Sequence, residues 1–161
     1  MKLQRAARLG PVEKKAITNL ATLNEAYHYA KPSSFSRGMR IDLAGIAILL
    51  ISGTASIDKE GRTVHTGDFR EQTRRTFRNI TGLLEAEGAG WEDIVRTTCY
   101  LCDIGRDYDA FNEERTAFYE SQKLNPLPAS TAVQAVLCRP DLLVEIEAIA
   151  MFRTDPDAPT E

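Results

Sequence analysis

The stretch "LPASTAVQAVLCRPDLLVEIEAIAMF", residues 127–152, carries two acids, Glu145 and Glu147, inside an otherwise apolar run. Read as a strand, it places Val144, Ile146, Ala148 and Ala150 on one face and Glu145, Glu147, Ile149 and Met151 on the other. The carboxylates then share a side, roughly 6.5–7 Å apart along the strand. Ile149 and Met151 continue that side with apolar groups, so it is not simply a wet surface. A partly covered face bearing two acids tends to raise the pKa of at least one, which suits a group that moves protons or holds a water. Spacing alone does not say which acid acts, or on what.

Working back from this strand, "RPDL" (139–142) reads as a turn with Pro140 at its second position, and residues 130–138 as a preceding strand. A helix is expected over about 107–121, where Tyr108, Phe111, Arg115 and Phe118 share a side and the stem of Arg115 sits at the margin. "DIVRTTCYLCDI" reads as a strand over 94–102. Its Cys99 and Cys102 would point to opposite faces, which argues against a redox or zinc pair and for plain reduced thiols. The clearest helix begins at Asp68, with Glu71 in capping-box position, and stops near Gly88. Phe69, Thr73, Phe77, Ile80 and Leu84 form its apolar face. Arg70, Arg74 and Arg78 form another, read as a solvated face rather than an RNA-binding stripe.

"GIAILLISGTASI" (45–57) is apolar and β-branched, interrupted by Gly53 as at a bulge or a close backbone approach. The order from residue 35 is therefore β-β-α-β-α-β-β, an α+β fold with both helices on one face of a sheet. The other face lacks a partner, which points to oligomerisation. Residues 1–34 read as an N-terminal extension, partly helical, with Val12, Ala16, Leu20 and Leu23 along one side and "KPSS" as its end. The tail from residue 154 is expected to be disordered.

Composition narrows the function classes. The chain has 161 residues, 43% of them apolar, and a net charge of −3. That size suits one domain with a real core, and the charge argues against a nucleic-acid surface. The longest apolar run, "LAGIAILLI" (43–51), is too short to span a bilayer. No apolar region follows the basic start, so no secretory signal and a cytoplasmic location are expected. Three cysteines are too few, and odd in number, for a disulfide framework.

Taken together, "ISGTASI", "DIVRTTCYL", "LPAST" and above all "LLVEIEAIA" resemble the RidA family of enamine/imine deaminases, also called YjgF. The resemblance covers roughly residues 35–153. It implies a chorismate-mutase-like fold and a homotrimer, with sheets packed into a central barrel, helices outside and ligand pockets between subunits. It also implies hydrolysis of small reactive imines or enamines without a cofactor. That no metal, nucleic acid or membrane takes part is expected from the strand geometry, charge and apolar-run length above. Glu145 matches the acid that holds the attacking water, and Gly53, Pro128, Ala129 and Glu147 match as well.

The departures bear on substrate. Ser130, followed by Thr131, stands where active family members carry a carboxylate-gripping Arg. Phe35 in "FSRG" replaces a Tyr at the pocket mouth, and Ala132 a frequent Cys. Ser130 brings one donor and no charge, so poor activity on simple α-imino acids is expected unless Arg37 or Arg139 supplies the cation. A second resemblance, of "SGTAS" and "CRPDLLVEIEA" to chorismatases, implies an enol-ether ligand instead. A non-catalytic small-molecule-binding trimer is the rival from another class. A ribonuclease or translation inhibitor, an older label in the family, is disfavoured by the net charge.

Overall fold

The acid-bearing strand lies inside the sheet, and its neighbours explain its alternation. The computed structural model describes residues 12–154. Eight elements follow in order: β1 (Lys14–Ala16), β2 (Gly38–Leu43), β3 (Ile46–Ala55), α1 (Phe69–Glu85), β4 (Ile94–Leu101), α2 (Ile104–Ser121), β5 (Ala129–Gln134) and β6 (Val144–Arg153). Short 3-10 turns stand at Ala26–His28 and Trp91–Asp93. The strand order is β1-β2-β3-β6-β4-β5; β4 and β5 run parallel and every other pair is antiparallel.

Val144, Ile146, Ala148 and Ala150 are buried under the helices, as period-2 alternation requires. On the opposite face Leu50 pairs with Ile149, Ile48 with Met151 and Tyr100 with Glu145. No element of the described chain covers that side fully: Ile46, Leu50 and Met151 are each 41% exposed. The ladder between β3 and β6 shifts register between Ile51 and Thr54, the bulge that Gly53 suggested.

Helix α1 starts where the cap predicts, with Asp68 accepting from the Glu71 amide at 3.0 Å. Phe69, Thr73, Phe77, Ile80 and Leu84 are all buried. Phe77 stacks on Phe118 of α2 at 4.6 Å between centroids and meets Trp91 edge-on. The arginine row is not simply solvated, because Arg70 and Arg74 reach across to Glu114 of α2. Gln72 donates to Asp141 O and accepts from the Leu143 amide, both at 2.8 Å, so α1 holds the connection leading into β6.

Three element expectations change. The helix expected between 12 and 30 does not form: residues 14–16 pair with β2 instead, and only Ala26–His28 is helical. The buried residues are Ile17, Leu23 and Ala26, whereas Val12 and Leu20 are exposed. Tertiary contacts, including Asn19 Nδ2 donating to Gly82 O at 2.7 Å, override the helical spacing and fold this segment onto the main core. Helix α2 starts at Ile104 rather than 107, since Asp103 accepts from the Arg106 amide at 3.0 Å. Strand β5 ends at Gln134 rather than 138. Apart from residue 154, the expected disordered tail lies outside the described residues. No described helix is long and apolar enough to cross a membrane.

Candidate functional site

β6 presents Glu145 at the bulge of β3, where Gly53 leaves the space that the carboxylate occupies. A Cβ on Gly53 would overlap Glu145 Oε1, so any larger residue there would push the carboxylate out of this position. Glu145 is half-buried, and no described protein group donates a hydrogen bond to its carboxylate. Burial raises its pKa above the ordinary value of 4.5, and the charge of Glu147 raises it further. Tyr100, directly across β4, is pushed up by desolvation and then by Glu147. The result is a carboxyl that takes up a proton more readily than a solvated one.

A cavity of about 960 Å³ opens beside Glu145, and Glu147, Gly53, Phe35, Arg37 and Arg139 line it too. Arg37 is 3% exposed; its Nε donates to Asn24 O at 3.0 Å and its Nη2 to the Tyr29 hydroxyl. Its guanidinium lies 5.0 Å from the Tyr29 ring centroid and 5.3 Å from that of Phe35. Burial lowers the Arg37 pKa, with Tyr29 and the buried Glu25 opposing that shift. Arg139 donates from Nη1 to Gly61 O at 2.6 Å. The Arg139–Leu142 turn, closed by a 3.3 Å bond from the Leu142 amide, sets that guanidinium at the rim. Cys138 also lies on the wall, a residue that the sequence did not single out. Among the described residues no group of three or more His, Cys, Asp or Glu could hold a metal.

The sequence matches the family described as Endoribonuclease L-PSP over residues 30–152, from ahead of β2 through nearly all of β6. This chain belongs to that family, the RidA/YjgF group. It is 36% identical to a RutC family protein of Pyrococcus abyssi over 102 residues, 63% of this chain and 76% of the relative. The YjgF gene product of E. coli superposes with a TM-score of 0.68 at 27% identity, covering 86% of this chain and 99% of the other. E. coli TdcF, solved with bound serine, shares the fold with a TM-score of 0.68 at 23% identity, covering 84% and 97%.

Within one chain of this RidA-family protein, the expected site residues fall into separate places. Phe35, Arg37, Gly53, Arg139 and Glu145 share the cavity just described. Ser130 does not: it opens on a groove of about 540 Å³ between α2 and β5. Ala132 lines a third depression with Ile104 and Tyr108. Thr131 faces the open side of the sheet, where its hydroxyl accepts from Arg96 Nη2 at 3.2 Å. The thiols also separate, with Cys99 Sγ near Thr97 and Ser130 at 3.9 Å and Cys102 Sγ bonded to Leu142 O at 3.0 Å. Arg115, which the sequence places at the edge of the core, lines the same groove as Ser130.

Proposed function

We propose that this protein is a RidA-like hydrolase that deaminates a small imine or enamine, with Glu145 as acid and base. The observation that carries this reading is a half-buried carboxyl with a raised pKa, without a hydrogen-bond donor, facing a cavity that also holds Arg37 and Arg139. Glu145 as carboxylate takes a proton from water while the water oxygen bonds to the imine carbon. The proton then passes to nitrogen to give a carbinolamine. Glu145 next takes the hydroxyl proton and passes it to the same nitrogen as the C–N bond breaks, and ketone and ammonia leave. The Glu145 carboxyl supplies and recovers the proton, so no cofactor is required. Glu147 keeps that proton affinity high from the next position on the same face.

The same proposal makes the active form a cytoplasmic homotrimer. The open sheet face, with Ile46, Leu50 and Met151 exposed, is the surface that three copies would cover, and closure would also remove strand edges. Ser130, Thr131 and Ala132 of one copy would then complete the pocket of another. Sedimentation equilibrium at micromolar concentration should give three chains; a stable monomer would refute this assembly.

A non-catalytic binding role is the second reading, and it takes support from TdcF, a protein of the same fold solved with bound serine. Ammonia release separates the two. An amino acid oxidase generating imines in situ from a range of amino acids supplies the substrates, and the protein should speed ammonia release from at least one of them. Efficient turnover of 2-iminopropionate would mean that a nearby arginine supplies the cation that Ser130 lacks. Binding without acceleration, across imines and enamines, would favour the binding role. Cleavage of RNA by the purified trimer, abolished in Glu145→Gln, would replace both.

A further inference from the structure

We propose that the groove between α2 and β5 binds a small carboxylate with a short apolar body, and that Arg115 is its cation. Arg115 Nη1 donates to Ser130 Oγ at 3.1 Å, and Nη2 donates to Asn112 Oδ1. A guanidinium has five N–H donors, so most of this one's are still free. Its plane is held by its own helix, with Cζ 5.1 Å from the centroid of the buried Phe111 ring. No described carboxylate lies within ion-pair distance of it, in contrast to Arg70 and Arg74. A positioned, unpaired guanidinium costs little entropy to engage an anion.

Ser130 supplies the second donor. Its oxygen accepts from both Arg115 and Thr97 Oγ1, the latter at 3.0 Å. Both acceptor positions are then in use, which leaves the hydroxyl proton to give. The nearest protein acceptor for it is Cys99 Sγ at 3.9 Å, a weak contact. A carboxylate oxygen beside Arg115 is a stronger one. On the sequence alone Ser130 offered no charge; the structure brings the charge to it from α2.

The remaining wall defines the ligand's body. Leu124, Leu127 and Pro128 line the groove, and Leu127 is 65% exposed, an apolar side chain without cover. Tyr119 closes the groove, buried, with no hydrogen-bond partner for its hydroxyl. Lys123 and Glu120 on the rim nearly cancel, so Arg115 sets the sign. The inference deepens the proposed function in one respect: if Ser130 joins the pocket of a neighbouring copy, Arg115 is what selects carboxylate-bearing substrates there.

The test uses the full-length protein with butyrate and its neutral isostere butyramide, followed by NMR titration of methyl and backbone amide signals. Butyrate should shift Leu124, Leu127 and Ser130, and butyramide should not. Arg115→Met, which keeps the stem on Phe111, should weaken butyrate roughly 10–100-fold, and Arg115→Lys should recover part of that. Ser130→Ala serves as a milder second variant, with an unchanged melting midpoint as the check on folding. Equal binding of butyrate and butyramide, or butyrate shifts confined to the Arg37 and Arg139 cavity, would overturn the inference. Wild-type turnover of 2-iminopropionate with KM unchanged in Arg115→Met would overturn it too while leaving the hydrolase reading intact. Arg115-dependent butyrate binding without turnover of any imine would support the inference and sink the hydrolase reading instead.

Discussion

Two partly buried glutamates in this molecule are treated in opposite ways. Glu114, between the helices, accepts from Arg74 Nε at 2.7 Å and Nη2 at 2.8 Å, and from Arg70 Nη1 at 2.9 Å. Burial pushes its pKa up, but the hydrogen bonds from Arg74 and Arg70 outweigh that and hold it below the ordinary value. Glu145 undergoes the same desolvation, and its nearest charged neighbour on the strand is another acid, so its pKa goes up. Desolvation is common to both, and the neighbours decide the sign. A compensated acid joins elements; an uncompensated one beside a cavity retains proton affinity that chemistry can use.

The largest expected effect comes from neutralising the uncompensated acid. Glu145→Gln should lower imine hydrolysis by roughly 10²–10⁴-fold, the span of general acid–base removal, with the assembly intact. Normal turnover in that variant would remove Glu145 from the mechanism. Glu147→Gln sharpens the contrast: it should shift the acid limb of the kcat/KM profile downward in pH, because it removes a charge that raises Glu145, while costing far less rate.

How much of this contrast the sequence reveals depends on the range of the interactions. The side and spacing of Glu145 and Glu147 follow from period-2 alternation, and α1 follows from Asp68 and its apolar period, because both signals lie within a few residues. Residues 12–30 mislead for the complementary reason. Val12, Ala16, Leu20 and Leu23 have helical spacing, yet of these only Leu23 is buried, together with Ile17 and Ala26. The segment is fixed by β2 and by Gly82, more than sixty residues from Asn19. Arg115 and Ser130 are fifteen positions apart on a helix and a parallel edge strand, and no local pattern announces their meeting. Likewise Glu114 reads as one more charge on a polar helix until α1 brings two arginines to it.

The next effect in size tests the compensated acid. Glu114→Gln keeps the shape but gives up the charge on two arginines that are each nearly half exposed. Partial screening holds the expected loss to about 1–2 kcal/mol of stability at neutral pH. Since the folded pKa is depressed, this stabilisation is present above the ordinary value of 4.5 and disappears as pH falls through the folded value. Chemical denaturation of wild type and variant should therefore converge in acid. A gap that persists unchanged at pH 3 would mean that packing, and not charge, ties α1 to α2.

The smallest effect is the converse for Glu145, read from stability and not from rate. Its folded pKa is raised, so the native chain holds this proton more tightly than the unfolded chain, and unfolding between the two values releases it. Stability linked to Glu145 is full below the ordinary value of 4.5 and falls as pH rises through the folded value. Gln does not titrate. Its amide changes the local hydrogen bonding by an amount independent of pH, so the slope of the difference carries the information and its offset does not. Melting midpoints at fixed protein concentration, which keeps assembly constant, should show Glu145→Gln gaining on wild type from pH 4 to pH 8. Glu114→Gln should lose ground over the same range. A flat Glu145 difference would mean that a donor reaches this carboxylate in the assembled protein, and the distinction between the two glutamates would then belong to the isolated chain alone.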